Sequence, residues 1–526
     1  MRSRSFGTVV GASTFAIALG ALGGIGGTAA HADTARTQSA TAQPHAVVHP
    51  NISPSRHRSD FNGDGFDDLV VPAPGESQGS ITRTGAITVT YGSVSGLTGT
   101  GSTTFTQDSG GVPGTSAKRN FWGRTVATGD FNGDGFDDIA IGSQESIGTT
   151  ARAGTVTILY GSASGVNALG APTAQLFTAT SADVPAFKTT LAYFGGALAV
   201  GDFNGDGVDD LAVGAPGVTV AKAFDAGGVT ILTGSGSGLV PTGLAITQHH
   251  GAAGYPELGD TFGASLAAGD LNADHFSDLI IGTPLEDGGS AIDTGVVDVL
   301  LGAATLNSTG GDSTLTAMQD VYLPNGDLAS ATNRQLGSNL AVQSFGGTDT
   351  GWVYAPGHLS SGWIEQIDLA HNALHIHSHG TSGSQHGISL VFGSFSSGAQ
   401  SSMAIGEPYF DNSGGGQVVV RDGANSTTLS QDTAGVPGHN EKGDAFGVNL
   451  SVGDYNGDGV DELAVGVPFE SINAIYHAGV FYVFPGDALG LAHSAASAQL
   501  WTQESPGIPG GSEDRDLFGT LAFGPE

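Results

Sequence analysis

The chain has 526 residues, of which 87 are glycine and none is cysteine, and its formal net charge at neutral pH is −34. This composition excludes disulfide cross-links, and the acidity argues against nucleic acids and anionic membranes as partners. Glycine at this density without a Gly-X-Y period predicts many tight turns between short strands, so an all-β repeat fold is favoured.

The N-terminal region has the pattern of a secretory signal peptide, predicted for residues 1–32. Two arginines precede an apolar, glycine-rich run that ends in the small-x-small cleavage pattern Ala30-His31-Ala32. Residues 33–58 are rich in Thr, Ala, Pro, Ser and His and are predicted to form a flexible leader. No later stretch is apolar enough to span a bilayer. We therefore expect a protein that is secreted to the extracellular space and whose folded part is residues 59–526.

A nine-residue loop opens this folded part. It reads Asp60-Phe61-Asn62-Gly63-Asp64-Gly65-Phe66-Asp67-Asp68 and runs directly into the apolar stretch Leu69-Val70-Val71. Side-chain oxygens stand at positions one, three, five and nine, and the glycines at positions four and six permit the tight turn that directs these oxygens inward. Oxygen ligands in this arrangement favour a hard cation, and calcium fits best.

The loop recurs four times along the chain. Full copies begin at Asp130, Asp202 and Asp454, and a weaker copy that begins at Asp270 has His275 in place of the second glycine. An EF-hand would need a glutamate at position twelve and flanking helices, but an apolar strand follows each of these loops. The calcium nonapeptides of a β-helix follow one another directly, whereas these loops are roughly 70 residues apart or more. We therefore expect calcium between two strands.

Strand signals recur in a fixed order around each loop. An apolar strand ending in Gly-x-Pro or a variant follows the loop, then come an alternating strand, a Thr/Gln-rich strand and an aromatic-Gly strand. Four strands at this spacing are typical of a propeller blade. Two units have lost the carboxylates and have Ser344 and Ser394 at the first loop position. We expect seven four-stranded blades, with residues 518–526 inserting into the first blade to close the ring.

The Phe-Gly strand, the Asp-x-Asn-Gly-Asp-Gly-x-x-Asp loop and the Gly-Ala-Pro strand end resemble the FG-GAP repeats of the integrin α-subunit N-terminal propeller and of its secreted bacterial relatives. The resemblance covers nearly all of residues 59–526. It implies a seven-bladed propeller with about four to five Ca²⁺ ions in outer-facing loops between the first and second strands. The ligands that it implies, with position seven acting through its backbone carbonyl, are Asp60, Asn62, Asp64, Phe66, Asp68, Asp130, Asn132, Asp134, Phe136, Asp138, Asp202, Asn204, Asp206, Val208, Asp210, Asp270, Asn272, Asp274, Phe276, Asp278, Asp454, Asn456, Asp458, Val460 and Glu462.

Two further motifs suggest chemistry but have simpler explanations. The stretch from Gly75 to Gly79 fits the G-x-S-x-G nucleophile elbow, but that motif needs a strand-turn-helix context, and Glu-Ser recurs at the same place in other units. His375, His377 and His379 alternate along a predicted strand, with a spacing that could hold zinc or copper. Polar residues on a solvated outer strand explain the same pattern.

Two classes of function remain open. One is an extracellular binding or adhesion module for a protein or a glycan, and the other is an extracellular hydrolase or polysaccharide lyase with its site inside the propeller. No set of acid, base and nucleophile stands out in the sequence, so a binding function is favoured. The protein is expected to be a monomer. In each blade, a 2-to-3 loop joins the second strand to the third, and a 4-to-1 loop joins the fourth strand to the first strand of the next blade. The face that carries these loops is the predicted binding surface, and it includes residues 118–122 and the stretch His249-His250.

Overall fold

The structure is a computed structural model that describes residues 59–520 with internal gaps. The predicted signal peptide and leader, and residues 521–526 of the predicted closing strand, lie outside the described residues. No helix in the described part is long and apolar enough to cross a membrane. The internal gaps are 169–171, 186, 188, 249–250, 253–254, 288–291, 305–318, 321–334, 346–347, 356–361, 370–372, 380–383, 397–400, 411–414, 424 and 492–494.

The chain folds as the predicted seven-bladed β-propeller. Its antiparallel sheets follow one another along the sequence, with the strands of each blade hydrogen bonded in chain order. Blade 1 has β1(Leu69–Ala73), β2(Ala86–Tyr91) and β3(Thr98–Phe105); blade 2 has β4(Thr125–Gly129), β5(Asp138–Ser143), β6(Thr155–Leu159) and β7(Gln175–Thr178); blade 3 has β8(Ala197–Gly201), β9(Asp210–Gly214), β10(Val229–Thr233) and β11(Val240–Pro241), followed by the parallel pair β12(Thr247–Gln248) and β13(Gly251–Ala252).

The later blades have the same order of strands. Blade 4 has β14(Ser265–Gly269), β15(Asp278–Thr283), β16(Val296–Leu300) and β17(Gln319–Asp320); blade 5 has β18(Asn339–Phe345), β19(Thr348–Ala355), β20(Trp363–Asp368) and β21(Ala373–His379); blade 6 has β22(Leu390–Gly393), β23(Ser402–Glu407), β24(Gln417–Asp422) and β25(Asn425–Leu429); blade 7 has β26(Asn449–Gly453), β27(Glu462–Val467), β28(Val480–Phe484), a 3-10 helix Ala495–Ser497 and β29(Gln499–Trp501).

The hydrophobic core is divided among the interfaces between blades. Each of the seven core clusters in the described part of the chain contains residues from two neighbouring blades, and together the clusters cover all seven interfaces. Both faces of a middle strand are therefore buried. Every residue of β5 is buried, for example, and after Asp138 its sequence is a continuous run of small and apolar residues rather than an alternating one.

Blade 7 packs against blade 1 and closes the ring. Phe481 and Trp501 of blade 7 share a core cluster with Leu69 of blade 1. The Gly519 N–H donates to the Pro72 carbonyl at 3.1 Å, which is the bond that the other aromatic-Gly segments make to the second strand of their own blade. The C-terminal segment therefore enters blade 1 at the position that the sequence predicts.

Paired glycines set how closely neighbouring blades approach each other. The carbonyl of Gly195, which leads into blade 3, lies against Gly142 of β5 in blade 2. A Cβ on Gly142 would be 2.3 Å from the Gly195 oxygen and 1.9 Å from Thr125 Oγ1. The same contact joins Gly214 to Gly263. The glycine of the aromatic-Gly strand and the glycine of the Gly-x-Pro strand end are thus two sides of one inter-blade contact.

We predict that Gly142→Ala lowers the free energy of unfolding by about 2–4 kcal/mol, because the added methyl group meets backbone that cannot move away. Urea unfolding followed by tryptophan fluorescence measures this loss. Gly110→Ala is the control, since a Cβ at Gly110 has no atom within 4 Å and should change stability little. Equal midpoints for the two variants would contradict the close-contact explanation.

Candidate metal centres

The five acidic loops occupy equivalent places in their blades. Four of them connect the first strand to the second, and in blade 2 the loop closes the hairpin in which Gly129 of β4 pairs with Asp138 of β5. The loop that begins at Asp60 leads into β1, so it lies at the same end of blade 1. All the sequence-predicted ligands therefore lie on hairpin tips at one end of the propeller.

The first aspartate organises the backbone of its own loop. One Asp60 carboxylate oxygen accepts hydrogen bonds from the N–H groups of Gly63 and Asp64 at 2.7 and 3.1 Å, and the other accepts from Gly65 at 2.9 Å. Asn62 Oδ1 accepts from the Asp64 N–H at 2.8 Å. These bonds wrap the chain around the side-chain oxygens, because short acidic and amide side chains readily bond backbone N–H groups a few residues ahead.

The weaker copy at Asp270 has the same fold despite its altered residues. Asp270 accepts from the N–H groups of Asp274 and His275 at 3.1 and 2.9 Å, and Asn272 accepts from Asp274. Ala273 and His275 adopt φ values of 62° and 72° in place of the two glycines. The loop therefore retains its shape at the cost of two residues in the left-handed region.

The ninth residue anchors the loop to the sheet. Asp68 is buried and accepts from the N–H groups of Phe61 and Gly92, each at 2.9 Å. Burial, with the charges of Asp60 and Asp64 adding to it, raises the pKa of Asp68 to about 9. Equivalent residues respond similarly: the pKa is raised to about 9 at Asp138, about 8 at Asp210 and Glu462, and about 7 at Asp278, with burial the largest cause in each case.

In each loop, burial of the ninth residue, together with the nearby carboxylates, disfavours the ionised form of its side chain. A bound cation compensates such charge. Within the described residues, three carboxylates with oxygens within 4.8 Å of one another occur at Glu76, Glu513 and Asp516 rather than in the loops. Calcium takes oxygen ligands at about 2.3–2.6 Å, and the loops offer carboxylate, amide and carbonyl oxygens of this kind.

Sequence reasoning missed the role of the eighth loop residue. Asp209 belongs to the loop of blade 3, but its carboxylate accepts from the Asp130 N–H of blade 2 at 3.0 Å, and its own N–H donates to the Asp130 carbonyl at 3.2 Å. The sequence signal for this role is the pair of adjacent acids Asp209 and Asp210, because the side chains of two neighbouring residues cannot both point into one loop. Equivalent side-chain bonds are Asp137 to Asp60, Asp349 to Asp270, Asp461 to Ser394 and Asp67 to Asp454.

We predict that Asp209→Ala lowers the free energy of unfolding by about 1–3 kcal/mol, because it removes the acceptor of a part-buried backbone N–H. Asp209→Asn should cost less, since the amide oxygen of its side chain can still accept from the Asp130 N–H. Urea unfolding at fixed calcium compares the two variants. A loss as large for Asp209→Asn as for Asp209→Ala would contradict the proposed contact.

A second ring of contacts explains the recurring Glu-Ser pair. Glu145 of blade 2 accepts from the side-chain amide of Gln107 of blade 1 at 2.9 Å. The Gln248–Glu286, Gln431–Glu470 and Gln503–Glu76 pairs repeat this bond at three other interfaces. Ser77 accepts from the Arg83 N–H within the turn between β1 and β2, as Ser146 does from Arg152. The G-x-S-x-G stretch is therefore part of a hairpin connection, not a strand-turn-helix elbow.

Blades 5 and 6, which have lost the carboxylate loop, share a line of buried, hydrogen-bonded side chains that the sequence did not predict. Ser378 Oγ lies 2.9 Å from His386 Nε2, and His386 Nδ1 lies 2.7 Å from Glu407 Oε1. Gln417 donates to the other Glu407 oxygen at 2.6 Å. The order of groups is that of a Ser-His-Glu relay, but Ser378 is only 7% exposed and His386 3%. We interpret the line as a set of polar contacts that holds blades 5 and 6 together. His386 precedes Gly387 and occupies the position that an aromatic residue has in most other aromatic-Gly segments.

We predict that Glu407→Gln destabilises the protein by about 1–3 kcal/mol at pH 7, because His386 loses a charged partner. Burial raises the pKa of Glu407, but the bonds and charge of His386 and the bond from Gln417 outweigh it and hold the pKa below 4.5. The stabilisation is therefore present above pH 4.5 and is lost as pH falls through the lower folded pKa.

The difference between wild type and Glu407→Gln should accordingly shrink below pH 4.5. Chemical unfolding across a pH series measures it. The matched control is Asp183→Asn, which neutralises an exposed carboxylate. A difference that stays constant down to acid pH would contradict the assigned role of the Glu407 charge.

The remaining sequence-predicted residues differ in how far the structure describes them. Arg119 and Phe121 lie on the face opposite the acidic loops, as expected, and line a cavity there. His249 and His250 lie outside the described residues, as do the side chains of His375, His377 and His379. The pairing of β21 with β20 passes from Ser378 to Ile376 and skips His377, so the strict alternation on which the one-face interpretation depends is interrupted.

Comparison with known proteins agrees with the repeat pattern. The FG-GAP repeat model matches residues 59–90, 122–159, 194–232, 262–304 and 446–484, which contain the five acidic loops. Phosphatidylinositol-glycan-specific phospholipase D of Bos taurus is 36% identical over 174 residues, covering 32% of this chain and 19% of that protein. Integrin alpha-PS2 of Drosophila melanogaster is 32% identical over 173 residues, covering 32% and 11%. Integrin alpha pat-2 of Caenorhabditis briggsae is 33% identical over 175 residues, covering 31% and 12%. The match thus spans less than a fifth of the length of each relative.

Proposed function

We propose that this chain, which carries five FG-GAP repeats in a seven-bladed propeller, is a secreted calcium-binding protein that acts as a binding or adhesion module for an extracellular protein or glycan. The observation that carries the proposal is the repetition of one loop geometry in five blades, each loop presenting carboxylate and amide oxygens. The similarity to integrin α subunits supports the binding role.

The donor set of the loops fits calcium better than other biological metals. Every proposed ligand is oxygen, which hard cations prefer, and no thiolate is available in a chain without cysteine. In the first loop the ligands would be Asp60, Asn62, Asp64, Asp68 and the carbonyl of Phe66. Bound calcium would neutralise the crowded carboxylates and fix the hairpin tip. All ligands come from one short segment, so a structural role at the edge of the blades is favoured over a catalytic one.

The opposite face of the propeller is the proposed contact surface. The 2-to-3 and 4-to-1 loops meet there, and exposed large apolar side chains include Tyr476, Phe224 and Leu258. Loops on a rigid scaffold commonly carry binding function, since they vary without disturbing the core. Glycan and protein arrays, probed with calcium and then with chelator, test this proposal. Absence of any ligand on both array types would contradict it.

An extracellular hydrolase or polysaccharide lyase is the alternative. The arrangement of Ser378, His386 and Glu407 is the feature that favours it, but a nucleophile must reach its substrate, and all three side chains are buried. Activity assays against ester and polysaccharide substrates, with Ser378→Ala as the comparison, distinguish the two functions. Turnover that is lost in this variant would favour the enzyme.

We predict that excess calcium raises the thermal unfolding midpoint and that chelation lowers it. Calcium at about 100 times its Kd stabilises the protein by roughly 2.7 kcal/mol per site if the unfolded chain does not bind it. Asp206→Asn should reduce the calorimetric stoichiometry by one ion while leaving the metal-free midpoint nearly unchanged, because Asn can still accept from the Val208 N–H. Asp108→Asn, at an exposed site outside the loops, is the control. An unchanged midpoint after chelation would refute the metal assignment.

A further inference from the structure

The face opposite the acidic loops contains a strongly basic cavity. The cavity has a volume of about 510 Å³ and is lined by Arg83, Arg119, Arg124, Arg152 and Arg515. The whole chain has only 16 Lys and Arg residues, so almost a third of its cations converge here. None of the described lining residues is Asp or Glu. The volume lies within the range of about 300–1,000 Å³ that is usual for small-ligand sites.

The arginines are graded from the mouth of the cavity to its floor. Arg119 and Arg515 are exposed, Arg83 and Arg152 are half-buried, and Arg124 is only 6% exposed. Within the described part of the chain, no carboxylate pairs with the guanidinium of Arg119, Arg152 or Arg515. The pKa of Arg124 is lowered to about 10, mainly by burial; Tyr193 acts in the opposite direction, and the nearby charge of Arg152 adds to the lowering. Positive charges therefore face one another in a partly enclosed space.

Comparison among the repeats shows that the fold does not require these arginines. The carbonyl of Arg152 accepts from Tyr193 at 3.2 Å, and in the next blade the carbonyl of Asp225 accepts from Thr261 at 2.9 Å. Both acceptors have positive φ, 46° and 55°. The same backbone position thus accommodates either charge. By the same comparison, Arg119 is equivalent to Leu191 in the next blade, since their N–H groups bond the Thr82 and Ala151 carbonyls.

Arg124 is the least expected of the set. It follows the glycine of its aromatic-Gly segment, and the other six repeats have Gly196, Ala264, Ser338, Ile388, Val448 and Thr520 at this position. Burying a charged group is costly, and small or apolar residues satisfy the fold elsewhere. A residue that breaks the local rule in one repeat alone indicates a site rather than a structural need.

Aromatic side chains share the cavity with the arginines. Arg83 lies over the ring of Phe121 at 5.8 Å, and Arg515 lies over the ring of Tyr476 at 5.9 Å. Such stacking holds a guanidinium plane in place, and the planar N–H fork of arginine matches the geometry of a planar anion. Tyr476 is 51% exposed, so part of its ring remains free to contact a ligand.

We infer that this cavity binds an anionic saccharide, with the arginines holding its carboxylate or sulfate group and the aromatic rings packing against the apolar C–H face of the sugar. The inference depends on the proposed binding function and names its ligand class. A compact cavity suits one or two sugar residues, whereas extended peptides are usually bound along a groove or a sheet edge. The acidic surface elsewhere on the protein would repel anions, so the arginines would direct them to this point.

Isothermal titration calorimetry of the calcium-loaded protein tests the inference. Digalacturonate and a sulfated disaccharide are the probes, and their separate responses distinguish carboxylate from sulfate. Digalacturonate dimethyl ester is the neutral counterpart, and an acidic hexapeptide tests the other ligand class. We expect binding of one or both anionic saccharides, loss of digalacturonate binding on esterification, and weaker affinity at higher salt.

Variants taken from the protein's own repeats make the test specific. Arg152→Asp and Arg119→Leu reproduce the residues at the equivalent positions in blade 3, so both should fold. Each should weaken saccharide binding by about tenfold to a hundredfold, the effect of losing a charged hydrogen bond. Lys442→Gln is the control, because this exposed lysine occupies a 4-to-1 loop outside the cavity. Unfolding midpoints measured alongside establish that each variant is folded.

Three outcomes would overturn the inference. The first is absence of binding to either anionic saccharide, and the second is equal affinity for the ester and the acid. The third is preference for the acidic peptide. If arrays identify another extracellular ligand whose binding is unaffected by Arg152→Asp, the binding function stands and the cavity assignment fails. If no ligand binds and calcium has no effect, the proposed function itself fails.

Discussion

The structure depends on the close approach of neighbouring blades, each of which is buried on both faces. The hydrophobic clusters supply most of the driving force, but they can form only where two backbones come together at paired glycines such as Gly142 and Gly195. A side chain there would force the sheets apart and expose both clusters. The two glycine-containing strand motifs are therefore one structural requirement that appears at two places in the sequence.

Polar contacts give this packing its register. The eighth loop residue joins each acidic loop to the preceding blade, and Gln–Glu pairs join the blades near the other end. Nonpolar packing alone is tolerant of sliding, whereas hydrogen bonds to buried backbone groups are directional. Where the carboxylate loops are lost, in blades 5 and 6, His386 and Glu407 provide a different polar contact. This contact joins blade 5 to blade 6.

The two ends of the propeller carry different groupings of charged side chains. Carboxylates gather in the hairpin tips at one end, and arginines gather around one cavity at the other. The hairpin tips have nearly the same sequence in five blades, because each must form the same turn. The positions of Arg83 and Arg152 correspond to that of Asp225, so this end varies in charge while the backbone stays constant. This division fits a scaffold in which one end supports stability and the other recognition.

The sequence by itself determined the blade architecture and the acidic loops. Those features arise from local spacing: glycines that permit tight turns, side-chain oxygens at alternate positions, and strand signals that recur in fixed order. Only the tertiary structure showed where Asp209 bonds, what Ser378 and Glu407 share, and that Arg83 and Arg515 line one cavity. These residues lie in different repeats or at opposite ends of the chain. Ring closure brings them together, and no local pattern encodes which side chains then meet.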